Sequence, residues 1–178
     1  MTLAPDYIEP VVGWRSWLVV REGEDFRLRS VLYDAVWLPR KELIARCLHR
    51  RLSISWRKPI KHSAPARECA CGIYAASDPA EAISYLEGRS WTEGPCVHRV
   101  IGPVALWGHV VECKRGWRAS HAYPKAIYVP ATREPFWLSV EQVDEVALNL
   151  ADYDVPVKLL DREGSAPEAL VETLTASG

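Results

Sequence analysis

Val97-His98-Arg99-Val100-Ile101-Gly102-Pro103-Val104-Ala105-Leu106-Trp107-Gly108-His109-Val110-Val111-Glu112 carries the strongest strand signal in the chain. β-Branched and aromatic residues dominate it, and they fit a pleated, half-buried surface. Gly102-Pro103 and Gly108 interrupt the run, which predicts a bend or bulges of the kind that curve a sheet toward a barrel. Upstream, Val11 to Val20 and Phe26 to Trp37 flank the polar turn Glu22-Gly23-Glu24-Asp25, the pattern of a β-hairpin closed by Pro39. Downstream, Lys125 to Val129 and Val155 to Leu160 read as further strands.

Helical patterns are fewer. Leu43, Ile44, Cys47 and Leu48 share one face of a helix expected within Arg40 to Leu52. Gly72 to Ala76 reads as a short buried strand, which would make Tyr74 a core residue costing about 2–4 kcal/mol to truncate. Ser77 or Asp78 then caps a helix with Pro79 in its first turn, ending near Leu86 before Gly88. Ser139-Val140-Glu141-Gln142 is a capping box opening a helix to about Ala151. The pattern predicts an α+β fold: a curved, mainly antiparallel sheet or partly open barrel with two or three helices. Residues 1–161 form one globular domain in this reading, with a loop unit over 40–76, and 162–178 form a frayed tail.

The chain has 178 residues, 48% of them hydrophobic, enough for one sizeable core. Eight Trp and seven Tyr against two Phe place many polar-tipped rings at core edges. Met1 to Pro10 has neither a basic nor an apolar leader region, and no stretch approaches the ~20 apolar residues of a membrane span. A cytoplasmic location is the expectation, and five cysteines, an odd number, suit a reducing compartment better than a disulfide framework.

Cys47, His62, Cys69 and Cys71 lie within twenty-five residues, spaced C-x14-H-x6-C-x-C. Soft thiolates and one imidazole are what zinc takes in a closed tetrahedral site, so a structural zinc is expected here, with residues 53–68 wrapping it as an irregular loop. A rival quartet substitutes Cys96 and His98 for Cys47 or His62. Cys47 can also be read simply as a buried apolar residue.

Charge is unevenly spread behind a net value of -1. Between Arg40 and Arg67 nine Lys or Arg face one acid, Glu42, whereas from Glu134 onward ten acids face Lys158 and Arg162. Arg50, Arg51, Arg57 and Lys58, with Arg118, are candidate contacts to nucleic acid or another polyanion. Equally, the basic block can solvate the surface or pair with the acidic segment, and Arg118 can stack on an indole within the fold. His109 and His121 could form a catalytic pair, yet no nucleophile or carboxylate motif accompanies them, and a lone His is usually structural.

Gly72-Ile73-Tyr74-Ala75, followed by Ala82 and Tyr85, resembles the strand and helix of ADP-ribosyltransferases in which a tyrosine packs on nicotinamide. The resemblance covers about fifteen residues and lacks a placed partner histidine and glutamate. It implies a pocket enzyme with Tyr74, Tyr85 and His121 near its substrate. A longer set of segments resembles a group of bacterial proteins to which no activity attaches. These are Trp14-Arg15-x-Trp17, His62-x-Ala64-Pro65 with Cys69-x-Cys71-Gly72-Ile73-Tyr74-Ala75, and Gly102-x-Val104-x-Leu106-Trp107-Gly108 with Gly116-Trp117-Arg118-Ala119. The sequence as a whole favours a zinc-stabilised, non-enzymatic binding module for a polyanion or a protein partner, with the pocket enzyme as the alternative.

Overall fold

The computed structural model describes residues 9–47, 62–87, 96–131, 140–160 and 167–176. The long apolar run around Gly102-Pro103 and Gly108 is one continuous strand, Cys96–Cys113, and it organises the rest. In chain order, the described residues form β1 (Val11–Glu22), β2 (Asp25–Ser30), β3 (Val36–Trp37), β4 (Leu43–Ile44) and β5 (Ile73–Ala76). Helix α1 (Pro79–Glu87), β6 (Cys96–Cys113), β7 (Gly116–Pro124) and β8 (Ile127–Pro130) follow, then α2 (Val140–Leu150), β9 (Val157–Leu160) and α3 (Pro167–Ala176).

One edge of β6 pairs antiparallel with β1 from Cys96 to Leu106, and its other edge pairs with β8 at Ile101 and with β7 from Val104 to Cys113. Strand β5 pairs with β7 and touches β1 through Trp14 and Ala76, so β1, β6, β7 and β5 close into a ring. The expected curvature is therefore present in a mainly antiparallel sheet, β8–β9 being its parallel pair. A register shift between Trp107 and Val110 marks the bulge at Gly108. At Gly102-Pro103 the β1 register runs through without a break. There the glycine serves a close approach instead, because a Cβ on Gly102 would lie 2.0 Å from the Ala126 carbonyl oxygen.

The β1–β2 hairpin forms as its turn predicts, with Glu22 opposite Asp25. Trp17 and Trp37 meet edge to face at 5.6 Å in the core beneath it. Helix α2 covers this core with Val146 and Leu150, and the Tyr153 hydroxyl beyond it accepts the Leu28 N–H at 2.8 Å and donates to the Trp37 carbonyl. On the other flank, α1 sets Ala82, Ile83 and Leu86 against Ile101 and Tyr128. Asp78 caps its first turn by accepting the Ala80 N–H at 2.7 Å. Its last carbonyls, Tyr85 and Leu86, accept from the buried Arg99 guanidinium at 3.0 and 2.9 Å, a cation where the helix dipole favours one.

Two expectations are corrected. No helix forms over the described part of 40–52: Leu43 and Ile44 pair with Ala122 and His121 of β7, and the Ala45 N–H donates to the Ser120 carbonyl at 2.7 Å. A four-residue apolar pattern cannot repay helix nucleation, whereas the free edge of β7 offers its hydrogen bonds at once. The end of the chain also carries structure, since α3 seats the fully buried Leu174 against α1. Its apolar positions gain a partner surface that the sequence does not announce. Residues 48–61, which include Arg50, Arg51, Arg57 and Lys58, lie outside the described residues.

Candidate metal centre

Cys47 follows β4, residues 62–71 form an irregular connection, and Gly72 joins Cys71 to β5. Pairing of β4 and β5 with the same strand, β7, carries these segments to one place. The ligand atoms of Cys47, His62, Cys69 and Cys71 all lie within 4.8 Å of one another. Cys47 Sγ is 3.8 Å from Cys69 Sγ, and Cys71 Sγ is 3.4 Å from His62 Nε2. None of the three cysteines is in a disulfide, and 3.8 Å is far beyond the ~2.05 Å of an S–S bond. Three soft sulfurs and an imidazole nitrogen at these separations can hold a metal ion.

Local chemistry fixes this arrangement. Gly72 has φ +124°, and a Cβ there would press on Pro65 and Arg118 at 3.0 and 3.1 Å, so only glycine lets the chain turn from Cys71 into β5. Arg118, directly opposite Tyr74 in the β5–β7 pairing, is buried beneath the turn. Its Nη1 donates to the carbonyls of Ala66 at 3.3 Å, Cys69, and Cys71 at 3.0 Å, its Nε reaches Cys113 Sγ at 3.3 Å, and its Cζ lies 5.8 Å over the Tyr74 ring. The guanidinium thus spends its donors on the ligand loop and stacks on a phenol, neither on an indole nor at an open phosphate site. Sequence reasoning singled out the residue and missed this role, because the loop it serves lies about fifty positions upstream.

The thiols pull against one another. Desolvation opposes ionisation of Cys69, but hydrogen bonds from the Cys71 backbone and from the Cys71 and Cys47 thiols, with the Arg118 charge, hold its thiol below the usual range. Burial pushes the Cys71 thiol up, and the neighbouring Cys69 and Cys47 sulfurs push it further. All three can be thiolates together only with a cation between them, which is what a bound metal supplies.

The rival pair is occupied elsewhere. His98 is buried with Nε2 2.9 Å from the Pro130 carbonyl, and Cys96 donates to the His98 carbonyl at 3.2 Å. With Nε2 carrying the proton toward Pro130, Nδ1 is unprotonated and has no hydrogen-bond partner. Burial lowers the His98 pKa below 6.5, against a smaller opposing effect of the Pro130 carbonyl. The unfolded chain therefore binds more protons here, so this contribution is complete above about pH 6.5 and is lost as pH falls below it toward the folded pKa. Replacing His98→Gln should flatten the loss of stability between about pH 7 and pH 5, as followed by urea melts; an unchanged slope would show that His98 is not the group titrating.

Tyr74 and Tyr85 share a cavity of about 480 Å³ beside β5. Tyr74 is 38% exposed and not a core residue as its short apolar strand suggested; it is among the residues lining the cavity, and its hydroxyl donates to the Ala70 carbonyl at 2.8 Å. The core cost expected for its truncation does not apply. His121 lies elsewhere, stacked on Trp107 at 6.0 Å with Nδ1 2.8 Å from Ser120 Oγ. Among the described lining residues Glu81 is the carboxylate and no imidazole accompanies it. The described ion pairs of the acidic segment run to the first hairpin, Glu145 to Arg21 at 3.6 Å and Asp152 to Arg27 at 3.8 Å. Among the described residues no helix is long and apolar enough to cross a membrane. Comparison with protein families, curated proteins and solved structures gave no match.

Proposed function

We propose that the chain is a zinc-stabilised, non-enzymatic binding protein. The observation that carries the reading is the Cys47–His62–Cys69–Cys71 cluster itself. Bonds of about 2.3 Å to sulfur and about 2.0–2.1 Å to nitrogen put tetrahedral S···S and S···N edges near 3.8 and 3.6 Å. The observed 3.8 and 3.4 Å support that geometry. Four protein ligands leave no open position for a substrate, so the metal's work is structural.

The metal would tie together the ends of a strongly basic segment. Arg46, exposed beside Cys47, begins the described part of that surface, and the sequence between Cys47 and His62 continues it with Arg50, Arg51, Arg57 and Lys58. A polyanion, nucleic acid first among them, is the partner this charge fits, bound through phosphates without base preference. The salt slope of binding to a single-stranded oligonucleotide tests it. Each phosphate neutralised should add about 0.7 to the slope, and reversing Arg50→Glu and Arg51→Glu together should reduce it by about 1.4. No binding at low salt, or binding unchanged by the reversal, would transfer the basic block to a protein partner or to the solvent.

A further inference from the structure

The cavity beside β5 is separate from the metal ligands and has a chemistry of its own. Its volume, about 480 Å³, lies in the range of small-molecule sites. Trp14, Tyr33, Tyr74, Tyr85 and Trp117 supply flat walls. Arg15 also lines it, half-buried, with Nη1 donating to the Tyr74 carbonyl and Nη2 donating to Ser30 Oγ at 3.0 Å. Among the described residues no carboxylate pairs with Arg15, and its buried Nε has no partner. Burial without an acid brings its pKa down to about 10 despite the nearby Tyr85 and Tyr33. Lys114 and Arg115 stand at the same cavity, whose one described carboxylate, Glu81, lies 3.5 Å from Arg115.

The guanidinium is half-buried, lies 5.3 Å over the Trp37 ring and has no carboxylate beside it among the described residues, so its charge is held in place but not neutralised, and an anion in the cavity would complete it. Guanidinium forks match carboxylates and phosphates, and aromatic walls match flat rings. We propose that this cavity is a binding site for a small anion bearing a flat ring, its anionic end on Arg15 and its ring against the tyrosine and tryptophan walls. Nothing in this assignment depends on the nucleic-acid reading of the basic segment, and the two sites fail or succeed independently.

Zinc-loaded full-length protein titrated with adenosine monophosphate and with indole-3-acetate distinguishes a phosphate from a carboxylate as the anionic end. Tryptophan fluorescence and calorimetry both read the event, because Trp14 and Trp117 line the site. At least one of the two should bind with a submillimolar Kd, and uncharged adenosine should bind at least about tenfold more weakly than the monophosphate if the phosphate is the chosen end. Arg15→Lys keeps the charge and loses the fork; Tyr85→Ala removes a wall from a residue that is 42% exposed and so leaves the fold intact. Each should weaken the bound probe about tenfold or more. Failure of both anions at millimolar concentration, adenosine binding as tightly as its monophosphate where the monophosphate is the tighter anion, or full affinity in folded Tyr85→Ala would overturn the assignment.

Discussion

Replacing Cys71→Ser is expected to strip the purified protein of its metal and to unfold the region around β4, 62–72 and β5. Cys71 is buried, sits 3.4 Å from His62 Nε2, and leads through Gly72 into β5. Serine keeps the size and loses the thiolate. Structural zinc contributes about 10 kcal/mol or more of coupled folding free energy. That is comparable with the whole stability of an ordinary domain, about 5–15 kcal/mol, so the loss is large enough to unfold the segments the metal would hold together. Elemental analysis should find about one zinc per wild-type chain and almost none in the variant, following the four-ligand arithmetic of a single closed site. A chelator should lower the wild-type melting temperature; metal-free wild type, or a melt indifferent to chelation, would remove the metal centre.

The second large effect is expected at Arg118, which touches no metal. An Arg118→Met variant fills similar space and deletes every donor beneath the ligand loop. The carbonyls of Ala66, Cys69 and Cys71 then lose a charged partner, and hydrogen bonds to charged groups are worth roughly 1.5–3 kcal/mol each. Because the bonds share one Nη1, they are not additive, and a total cost of about 3–5 kcal/mol is expected. Zinc affinity should also fall about 10–100-fold, as it does when groups that orient metal ligands are removed. A competition titration with a chromophoric chelator reads that loss separately from the melt. Lost stability with unchanged metal affinity would assign Arg118 to the β5–β7 core alone.

Short-range chemistry was legible in the sequence. Gly23 and its neighbours dictate a hairpin turn, Asp78-Pro79 dictates a capped helix start, and a long β-branched run dictates β6. The Cys/His spacing likewise points to one cluster, because the residue types admit few other uses. What could not be read depends on contacts far apart in the chain. Leu43 and Ile44 are helix-compatible until the edge of β7 arrives to pair with them. Arg118 resembles any surface arginine next to an aromatic until folding lays the ligand loop over it. Tyr74 belongs to a buried-looking strand, and only the closure of the sheet between β1 and β5 shows that it lines a cavity and is partly exposed. The same limit hid α3, whose buried Leu174 packs on Ala82, Ile83 and Leu86 of α1, far upstream in the chain.

Strand β5 is four residues long, yet it hangs from the metal loop at Cys71 and forms part of the cavity through Tyr74, Ala75 and Ala76. It works as a joist shared by two rooms. If the cluster holds a metal as proposed, a compound screen run on chelator-treated protein would sample a chain whose cavity has lost a supporting wall, and its blanks would say nothing about the ligand. On the proposed reading, purification tags and buffers that extract metal ions are a choice about which surface remains to be probed.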